Sequence, residues 1–181
     1  MGPTAHDFLR QLDDEVDIVA LVETHVVEEQ LPKWRGVLQA DGWKLAATPG
    51  VFTKRSAAGS HGGEWVLSRL GRATTTFEGQ RRFWKTGDPL FYGFCPMVVH
   101  LRAGNLVLIS LYWLPGEGLE GDNLDRVRSV SRFVQTLADP WIILGDFNMP
   151  PEALLASGWP EQINGCIITP AGVEGTCDQG Q

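Results

Sequence analysis

The sequence predicts a layered α/β sandwich, in which two mixed β-sheets are flanked by helices, as one partial domain over residues 1–181. Short apolar runs of β-branched residues at 17–22 and 141–144 predict strands that are buried on both faces. Apolar residues recur at helical spacing over 28–40 and 122–137. The 21 Gly and 11 Pro favour a loop-rich chain over a helical bundle.

The first half of the chain is predicted to hold two helices and three strands. Thr4 and Asp7 have the spacing of a capping box, which begins a helix over residues 5–14. The apolar face of this helix is formed by Phe8, Leu9, Leu12 and Val16. After the first strand, the second helix ends at Asp41-Gly42. Two further strands are predicted at residues 43–48 and 64–70, on either side of a loop.

The second half is predicted to form a hairpin, a helix and a strand. The hairpin strands are residues 95–101 and 105–112. The helix that follows is capped by Asp122 or Asn123 and carries Arg126, Arg128 and Arg132 mainly on its surface. The last buried strand ends at Gly145. A helical turn over residues 151–156 and a strand over 166–169 complete the predicted order.

Charge and cysteine content narrow the function classes. The net charge of −7 means that the chain as a whole does not attract nucleic acid, although a local basic patch can. Three cysteines without a CxxC pair predict reduced, buried thiols in an intracellular protein, nuclear or cytoplasmic, rather than a disulfide framework or a zinc site. No apolar run is long enough for a transmembrane helix.

Two acidic residues follow predicted buried strands. Glu23 comes directly after the first, and Asp146 comes after the last with Gly145 between them. Carboxylates at the ends of central strands can converge at one edge of a sheet, and oxygen ligands suit Mg²⁺ or Mn²⁺. Asn148 alternates with Asp146, so both side chains can face one side while Phe147 points into the core. The alternative is structural: Glu23 caps a helix and Asp146 shapes a turn.

Four segments, in order, resemble the motifs of the endonuclease/exonuclease/phosphatase superfamily. They are residues 17–25 (DIVALVETH), 61–69 (HGGEWVLSR), 106–118 (LVLISLYWLPGEG) and 141–152 (WIILGDFNMPPE). Their order and spacing match over residues 5–157, most of the chain. The resemblance implies in-line hydrolysis of a phosphodiester, with Mg²⁺ or Mn²⁺ neutralising charge on the phosphate.

The resemblance also implies a role for each matching residue. Glu23 is the metal ligand, and Asp146 contributes to the same metal site while it orients or deprotonates the attacking water. Tyr112 hydrogen-bonds the scissile phosphate. Asn148 fixes a phosphate oxygen and Asp146 itself.

The chain departs from the family pattern in three places. Val22 stands where the family has Gln. The family begins with a strand carrying an Asn and ends with an Asp strand and a Ser-Asp-His segment, neither of which matches here. None of the four histidines replaces that role: His6, His25, His61 and His100. We therefore expect an incomplete sandwich with weak or no activity, to which further domains of a longer polyprotein can be joined. No obligate oligomer and no membrane attachment are expected.

Three functions remain open. The first is a DNA endonuclease like those of retroelement proteins, for which Lys54-Arg55 and residues 81–85 (RRFWK) supply basic and aromatic groups. The second is a small-molecule or lipid phosphoesterase, which the acidic balance tolerates. The third is a degenerate module without catalysis. Salt-dependent DNA binding separates the first two, and Mg²⁺ titration against Glu23→Ala separates the third.

Overall fold

A computed structural model of the protein describes residues 3–52, 60–77 and 93–169. The chain divides into two compact units, Met1–Asn148 and Met149–Gln181. The helices of the first unit are α1 (Pro3–Gln11), α2 (Leu31–Ala40) and α3 (Gly121–Gln135). Its strands are β1 (Ile18–Leu21), β2 (Lys44–Thr48), β3 (Val51–Phe52), β4 (Ser60–His61), β5 (Glu64–Ser68), β6 (Thr74–Thr76), β7 (Phe94–Leu101), β8 (Gly104–Tyr112) and β9 (Trp141–Asp146). The second unit contains α4 (Pro151–Ala156) and α5 (Trp159–Gln162).

The strands of the first unit form two main sheets. The three-stranded sheet has the order β1-β5-β2 and is antiparallel. The four-stranded sheet has the order β6-β7-β8-β9 and is mixed, because β9 runs parallel to β8 while the other pairs are antiparallel. The hydroxyl of Ser110 in β8 donates to the carbonyl oxygen of Leu21 in β1 at 3.0 Å, which joins the two sheets. The layered α/β sandwich is thus confirmed, with a single mixed sheet among the described strands.

The core lies on both faces of β5. Trp65 and Leu67 pack in one cluster with residues of the first two helices, which include Leu9 and Leu38. Val66 points the other way and packs with Met97 of β7. Alternate residues of a strand face opposite sides, and both sides of β5 are covered, so all five of its residues are buried.

The strand β9 is exposed, in contrast to the prediction of a strand buried on both faces. Ile142 is 45% exposed and Leu144 is 41% exposed. Within the described chain β9 pairs only with β8, so it forms an edge of the sheet. The strand also continues through Gly145 and Asp146, although Gly145 was expected to end it. An apolar run therefore predicted the strand correctly but gave its place in the sheet wrongly.

Several other predictions differ at the level of single elements. Phe8 is 57% exposed rather than part of the apolar face of α1. The β3–β4 hairpin lies inside the predicted loop after β2, and β6 and α5 were missed, since two- to four-residue elements are too short to show a period. Residues 166–169 form no strand. The strand β1 is half-buried, because it too lies at the edge of its described sheet.

The start of α3 also differs from the prediction. Its N-cap is Glu120, whose side chain makes no capping hydrogen bond. Asn123 is buried instead and holds the preceding turn. Its Oδ1 accepts from the backbone N–H of Leu114 at 2.7 Å, and its Nδ2 donates to the carbonyl oxygens of Leu114 and Gly118. The polar residue that resembled a cap thus fixes the loop between β8 and α3.

Two chemical expectations can be compared with the described residues. Cys95 is a free and buried thiol, as the sequence predicts, whereas Cys166 is free but exposed, contrary to the expectation of buried thiols. Cys177 lies outside the described residues. Of the helices that the structure describes, none has the length and apolarity needed to span a bilayer.

Candidate active site

Three of the predicted site residues lie where strands end. Glu23 follows β1 by two residues, Tyr112 is the last residue of β8, and Asp146 is the last residue of β9. Tyr112 and Asp146 are paired across the parallel β8–β9 ladder. The carboxylates of Glu23 and Asp146 both lie near enough to the phenol of Tyr112 to raise its pKa. The structure therefore brings Glu23, Tyr112 and Asp146 together at one edge of the sandwich.

The phenol of Tyr112 is buried beside two acids. Burial raises the pKa of the Tyr112 hydroxyl above its ordinary value of 10.0, and the negative charges of Glu23 and Asp146 raise this pKa further. The positive charge of Arg126 acts in the opposite direction. The net effect keeps the phenol protonated at neutral pH, so the group is available as a hydrogen-bond donor.

Glu23 has an unusual backbone conformation, with φ of 54° in the left-handed region. Non-glycine residues adopt this region rarely, and such strain is concentrated at functional sites. Its Oε1 accepts a hydrogen bond from the backbone N–H of Gly62 at 3.1 Å. Its Oε2 lies 3.5 Å from Nε2 of His25. The carboxylate is thus oriented from both sides while its side chain remains 33% exposed.

The segment Glu23–His25 is hydrogen-bonded to residues 60–63. The backbone N–H groups of Thr24 and His25 donate to the carbonyl oxygens of Gly63 and Gly62, each at 3.0 Å. The hydroxyl of Ser60 donates to the carbonyl oxygen of His25 at 2.6 Å, and Nδ1 of His25 donates to the carbonyl oxygen of Ser60 at 2.5 Å. A distant loop therefore fixes the backbone that carries Glu23.

The segment Gly145–Asn148 carries the second acid. The backbone N–H of Asn148 donates to Oδ1 of Asp146 at 2.9 Å, and Asn148 itself has a φ of 47°. Nδ2 of Asn148 donates to the carbonyl oxygen of Trp113 at 2.7 Å. Phe147 packs edge-on against Trp113, with ring centres 5.1 Å apart, in agreement with its expected inward position. Asn148 thus fixes the carboxylate of Asp146, while its role towards a phosphate oxygen stays a prediction.

Gly145 is required by packing. A Cβ at this position would lie 1.9 Å from the carbonyl oxygen of Leu111 on the neighbouring strand β8. Such an approach is far inside van der Waals distance, and the clashing atom belongs to the backbone of a buried strand. The glycine thus allows close β8–β9 pairing next to Asp146, rather than the strand exit inferred from the sequence.

The donor chemistry of this edge suits a hard divalent cation. Glu23 and Asp146 offer carboxylate oxygens, and Mg²⁺ binds through one or two carboxylates while it keeps several waters. In the described ranges no cluster of three His, Cys, Asp or Glu side chains could hold a metal ion by itself. The residues present therefore fit a cation that also keeps water and substrate oxygens as ligands. His25, expected mainly at the surface, is 48% exposed and lies next to Glu23.

Two charged residues behind Tyr112 were not identified from the sequence. Arg126, predicted at the surface of α3, and Glu64, the first residue of β5, are each only 2% exposed. Nη1 of Arg126 donates to the carbonyl oxygen of Tyr112 at 2.7 Å and lies 4.0 Å from Oε1 of Glu64. The helical spacing of Arg126 from Asn123 and Val130, three and four residues away, would have placed it on the buried face.

The two basic segments considered for nucleic-acid contact, Lys54-Arg55 and residues 81–85, lie outside the described residues. Their contribution to a binding surface stays a prediction.

Comparison with known proteins identifies the fold. No protein-family model and no curated protein matches the sequence. Solved structures do match. ANGEL2, a 2′,3′-cyclic phosphatase in complex with adenosine-2′,3′-vanadate, has a TM-score of 0.56 and 14% identity over 88% of this chain. A β-hairpin deletion mutant of beta toxin from Staphylococcus aureus has a TM-score of 0.56 and 16% identity over 96% of this chain.

The human Nocturnin catalytic domain with bound sulfate has a TM-score of 0.51 and 13% identity over 81% of this chain. The chain spans 47% of the ANGEL2 chain, 56% of the Nocturnin chain and 69% of the beta-toxin chain. These structures share one fold type, and the similarity extends over 81% to 96% of this chain. The chain therefore has the endonuclease/exonuclease/phosphatase fold, as the order of its motifs predicts.

Proposed function

We propose that this protein hydrolyses phosphodiester bonds with the help of Mg²⁺ or Mn²⁺. The observation that carries this proposal is the convergence of Glu23, Tyr112 and Asp146: Tyr112 is paired with Asp146 across the sheet, and its buried phenol lies close to both carboxylates. This arrangement suits a phosphate group: the protonated phenol can donate a hydrogen bond to it, and the two carboxylates can hold a cation that neutralises its charge.

Each residue has a distinct task in this proposal. Glu23 and Asp146 would hold the cation, which when bound neutralises charge on the phosphate. Tyr112 donates a hydrogen bond to a phosphate oxygen, because its raised pKa keeps the phenol neutral. The carboxylate of Asp146 orients the attacking water, and the N–H of Asn148 holds that carboxylate in place.

DNA is the substrate class that we propose first, with an endonuclease of the retroelement kind as its most specific form. The support is two basic segments, Lys54-Arg55 and residues 81–85 (RRFWK), the second of which combines cationic and aromatic side chains. The fold neighbour ANGEL2 acts on a 2′,3′-cyclic phosphate. A small-molecule or lipid phosphoester is the second candidate, and the net charge of −7 favours it.

The reaction is tested by turnover of bis-p-nitrophenyl phosphate and of plasmid DNA, with Mg²⁺ and with EDTA. We expect hydrolysis that depends on the cation and that falls about 100-fold or more in Asp146→Asn, because this change removes the water-orienting carboxylate. Asp125→Asn on the exposed face of α3 is the matched control and should keep full activity. Equal rates for Asp146→Asn and the wild type would refute the proposal.

Binding and metal response separate the substrate classes and the non-catalytic alternative. If DNA is the substrate, its affinity should fall steeply between 50 and 200 mM salt, as expected for phosphate contacts. Hydrolysis of the small diester without salt-dependent DNA binding would favour the second candidate. Mg²⁺ should raise the melting temperature of the wild type but not of Glu23→Ala, and a wild type without any response would support a degenerate module.

A further inference from the structure

We propose that Arg126 and Glu64 form a buried support that positions Tyr112 for the reaction. The proposal rests on the proposed function, because it assigns these residues a part in the same site. Neither residue is accessible to a substrate, since each is only 2% exposed. They are therefore positioning residues, which act through the group in front of them.

Arg126 and Gly93 together hold the backbone of Tyr112. Nη1 of Arg126 donates to the carbonyl oxygen of Tyr112 at 2.7 Å, and the N–H of Tyr112 donates to the carbonyl oxygen of Gly93 at 3.2 Å. The guanidinium carbon also lies 5.8 Å from the centre of the Tyr112 ring. Both backbone polar groups of the residue are thereby fixed, and a cation faces the ring that carries the reactive hydroxyl.

The stem of Arg126 follows a path that only glycine permits. A Cβ at Gly93 would lie 2.7 Å from both Cγ and Cδ of Arg126 and 3.0 Å from its Nε. Gly93 has a φ of 74°, in the left-handed region that favours glycine. The arginine thus passes directly over the chain just before β7 and reaches Tyr112 from the helix side of the sheet.

Glu64 connects this support with the segment that carries Glu23. Its Oε1 lies 4.0 Å from Nη1 of Arg126, and both side chains are withdrawn from water. Glu64 directly follows Gly62 and Gly63, whose backbone groups bind the segment Glu23–His25. The pair of Arg126 and Glu64 therefore contacts the backbone of Tyr112 on one side and adjoins the segment that holds Glu23 on the other.

A role in stability alone does not account for this pair. Buried ion pairs contribute little net stability, because the cost of removing two charges from water offsets their attraction. Well-packed apolar side chains of similar volume often serve equally well in a core. The pair is instead placed where its hydrogen bond and its charge act on Tyr112.

The test separates positioning from stability with a double variant. Arg126→Met leaves the buried carboxyl of Glu64 without its partner and should destabilise the fold. Adding Glu64→Gln replaces that carboxyl with a neutral amide and should recover most of the stability. If the pair positions Tyr112, kcat of the double variant on bis-p-nitrophenyl phosphate should stay roughly 10- to 100-fold below the wild type, with KM changed less than about twofold. Arg128→Met, on the exposed face of the same helix, is the control and should change neither.

A spectroscopic readout tests the position of Tyr112 without turnover. The chain has two tyrosines, so protein labelled with 3-fluorotyrosine should give two ¹⁹F signals, and Tyr92→Phe assigns the one from Tyr112. We expect this signal to shift or broaden in the double variant and in Arg126→Lys, which keeps the charge but loses the planar fork. It should be unchanged in Arg128→Met.

The outcomes decide the two proposals separately. Wild-type kcat in the double variant, or an unchanged Tyr112 signal in both the double variant and Arg126→Lys, would overturn the positioning role. If the wild type hydrolyses no phosphoester, the proposed function fails and the ¹⁹F signals still decide whether the pair positions Tyr112. If the Met variants do not fold, Arg126→Lys and Glu64→Gln carry the same measurements.

Discussion

The two segments that carry the acids, Glu23–His25 and Gly145–Asn148, are fixed in different ways. The first is hydrogen-bonded to residues 60–63, about 40 positions along the chain, and is half-buried at Glu23. The second is held by the neighbouring strand β8, by Trp113 and by its own Asn148, and is exposed at Asp146. The site of Glu23 therefore depends on a distant loop, whereas that of Asp146 depends on strand pairing.

Among the changes to these two segments, Gly145→Ala should cause the largest loss of stability. The new Cβ would meet the carbonyl oxygen of Leu111 at 1.9 Å, so β8 and β9 could not keep their pairing. We expect a loss of about 3 kcal/mol or more in the free energy of unfolding, measured by urea denaturation. Gly36→Ala in α2, where a Cβ would meet nothing within 4 Å, is the control and should be neutral or stabilising by up to about 1 kcal/mol. A stable Gly145→Ala protein would contradict the dependence on strand pairing.

The pH dependence of stability probes the buried acid behind Glu23. Burial raises the pKa of the Glu64 carboxyl from 4.5 to about 7, although the charge of Arg126 opposes this rise. Between these values the folded state keeps a proton that the unfolded state has released, so stability falls as the pH increases from 4.5 to 7. The loss from this group amounts to about 3 kcal/mol at most.

Glu64→Gln should remove this part of the pH profile, which urea denaturation at a series of pH values would measure. The Asp125→Asn variant, altered at an exposed acid, should keep the wild-type profile. Parallel profiles for the wild type and Glu64→Gln would show that Glu64 has the same pKa in the folded and unfolded states.

Gly63→Ala tests the dependence of Glu23 on the distant loop. Gly63 has a φ of 95°, and a Cβ there would lie 2.4 Å from Oγ1 of Thr24. We expect a loss of roughly 2 kcal/mol in stability and a weaker response to Mg²⁺ in thermal melts. Gly42→Ala is a matched control, because its φ is 85° but a Cβ meets nothing within 4 Å. It should lose stability through backbone strain alone and keep the Mg²⁺ response.

The smallest effect is expected for Ser60→Ala. This change removes the hydrogen bond from the Ser60 hydroxyl to the carbonyl oxygen of His25, which is exposed to water. The stability should fall by about 0.5–1 kcal/mol, measured by urea denaturation. The Mg²⁺ concentration that gives half of the thermal shift should rise, whereas the same change at Ser157, the residue after α4, should leave it unaltered. An unchanged Mg²⁺ midpoint would show that the backbone bonds of Gly62 and Gly63 suffice to hold Glu23.

The sequence predicted most elements of secondary structure correctly, but it did not predict which strand lies at the edge of the sheet. The hairpin β7–β8, the helices α2 and α3 and the strand before Asp146 follow from periodicity and apolar runs, which are local properties. The exposure of Ile142 and Leu144 does not, because it depends on which strand lies at the edge of the sheet. An apolar run is the same whether a neighbour covers it or not.

In the candidate site, too, the residues in local motifs were predicted, whereas those whose burial depends on distant partners were not. Glu23, Tyr112 and Asp146 could be named because each follows or ends a recognisable strand within a familiar motif. Arg126 was placed at the surface, although its helical spacing from Val130 puts it beside the buried face. Its partner Glu64 lies 62 positions earlier in the chain, and no pattern within a single helix indicates that pairing.

Within the segment Gly145–Asn148, neighbouring residues are required for different reasons. Gly145 is required for packing against β8, and Asp146 for the proposed chemistry. Substitution at Asp146 removes an exposed carboxylate and the hydrogen bond that it accepts from the N–H of Asn148, but it leaves the pairing of β8 and β9 intact. Substitution at Gly145 disrupts the sheet itself. If the proposed hydrolysis is correct, a gene copy that no longer needs this activity would change first at Asp146 and would keep the glycine for as long as its product must fold. Among diverged copies, the glycine would therefore indicate a chain that still folds, and the aspartate beside it a chain that retains the proposed activity.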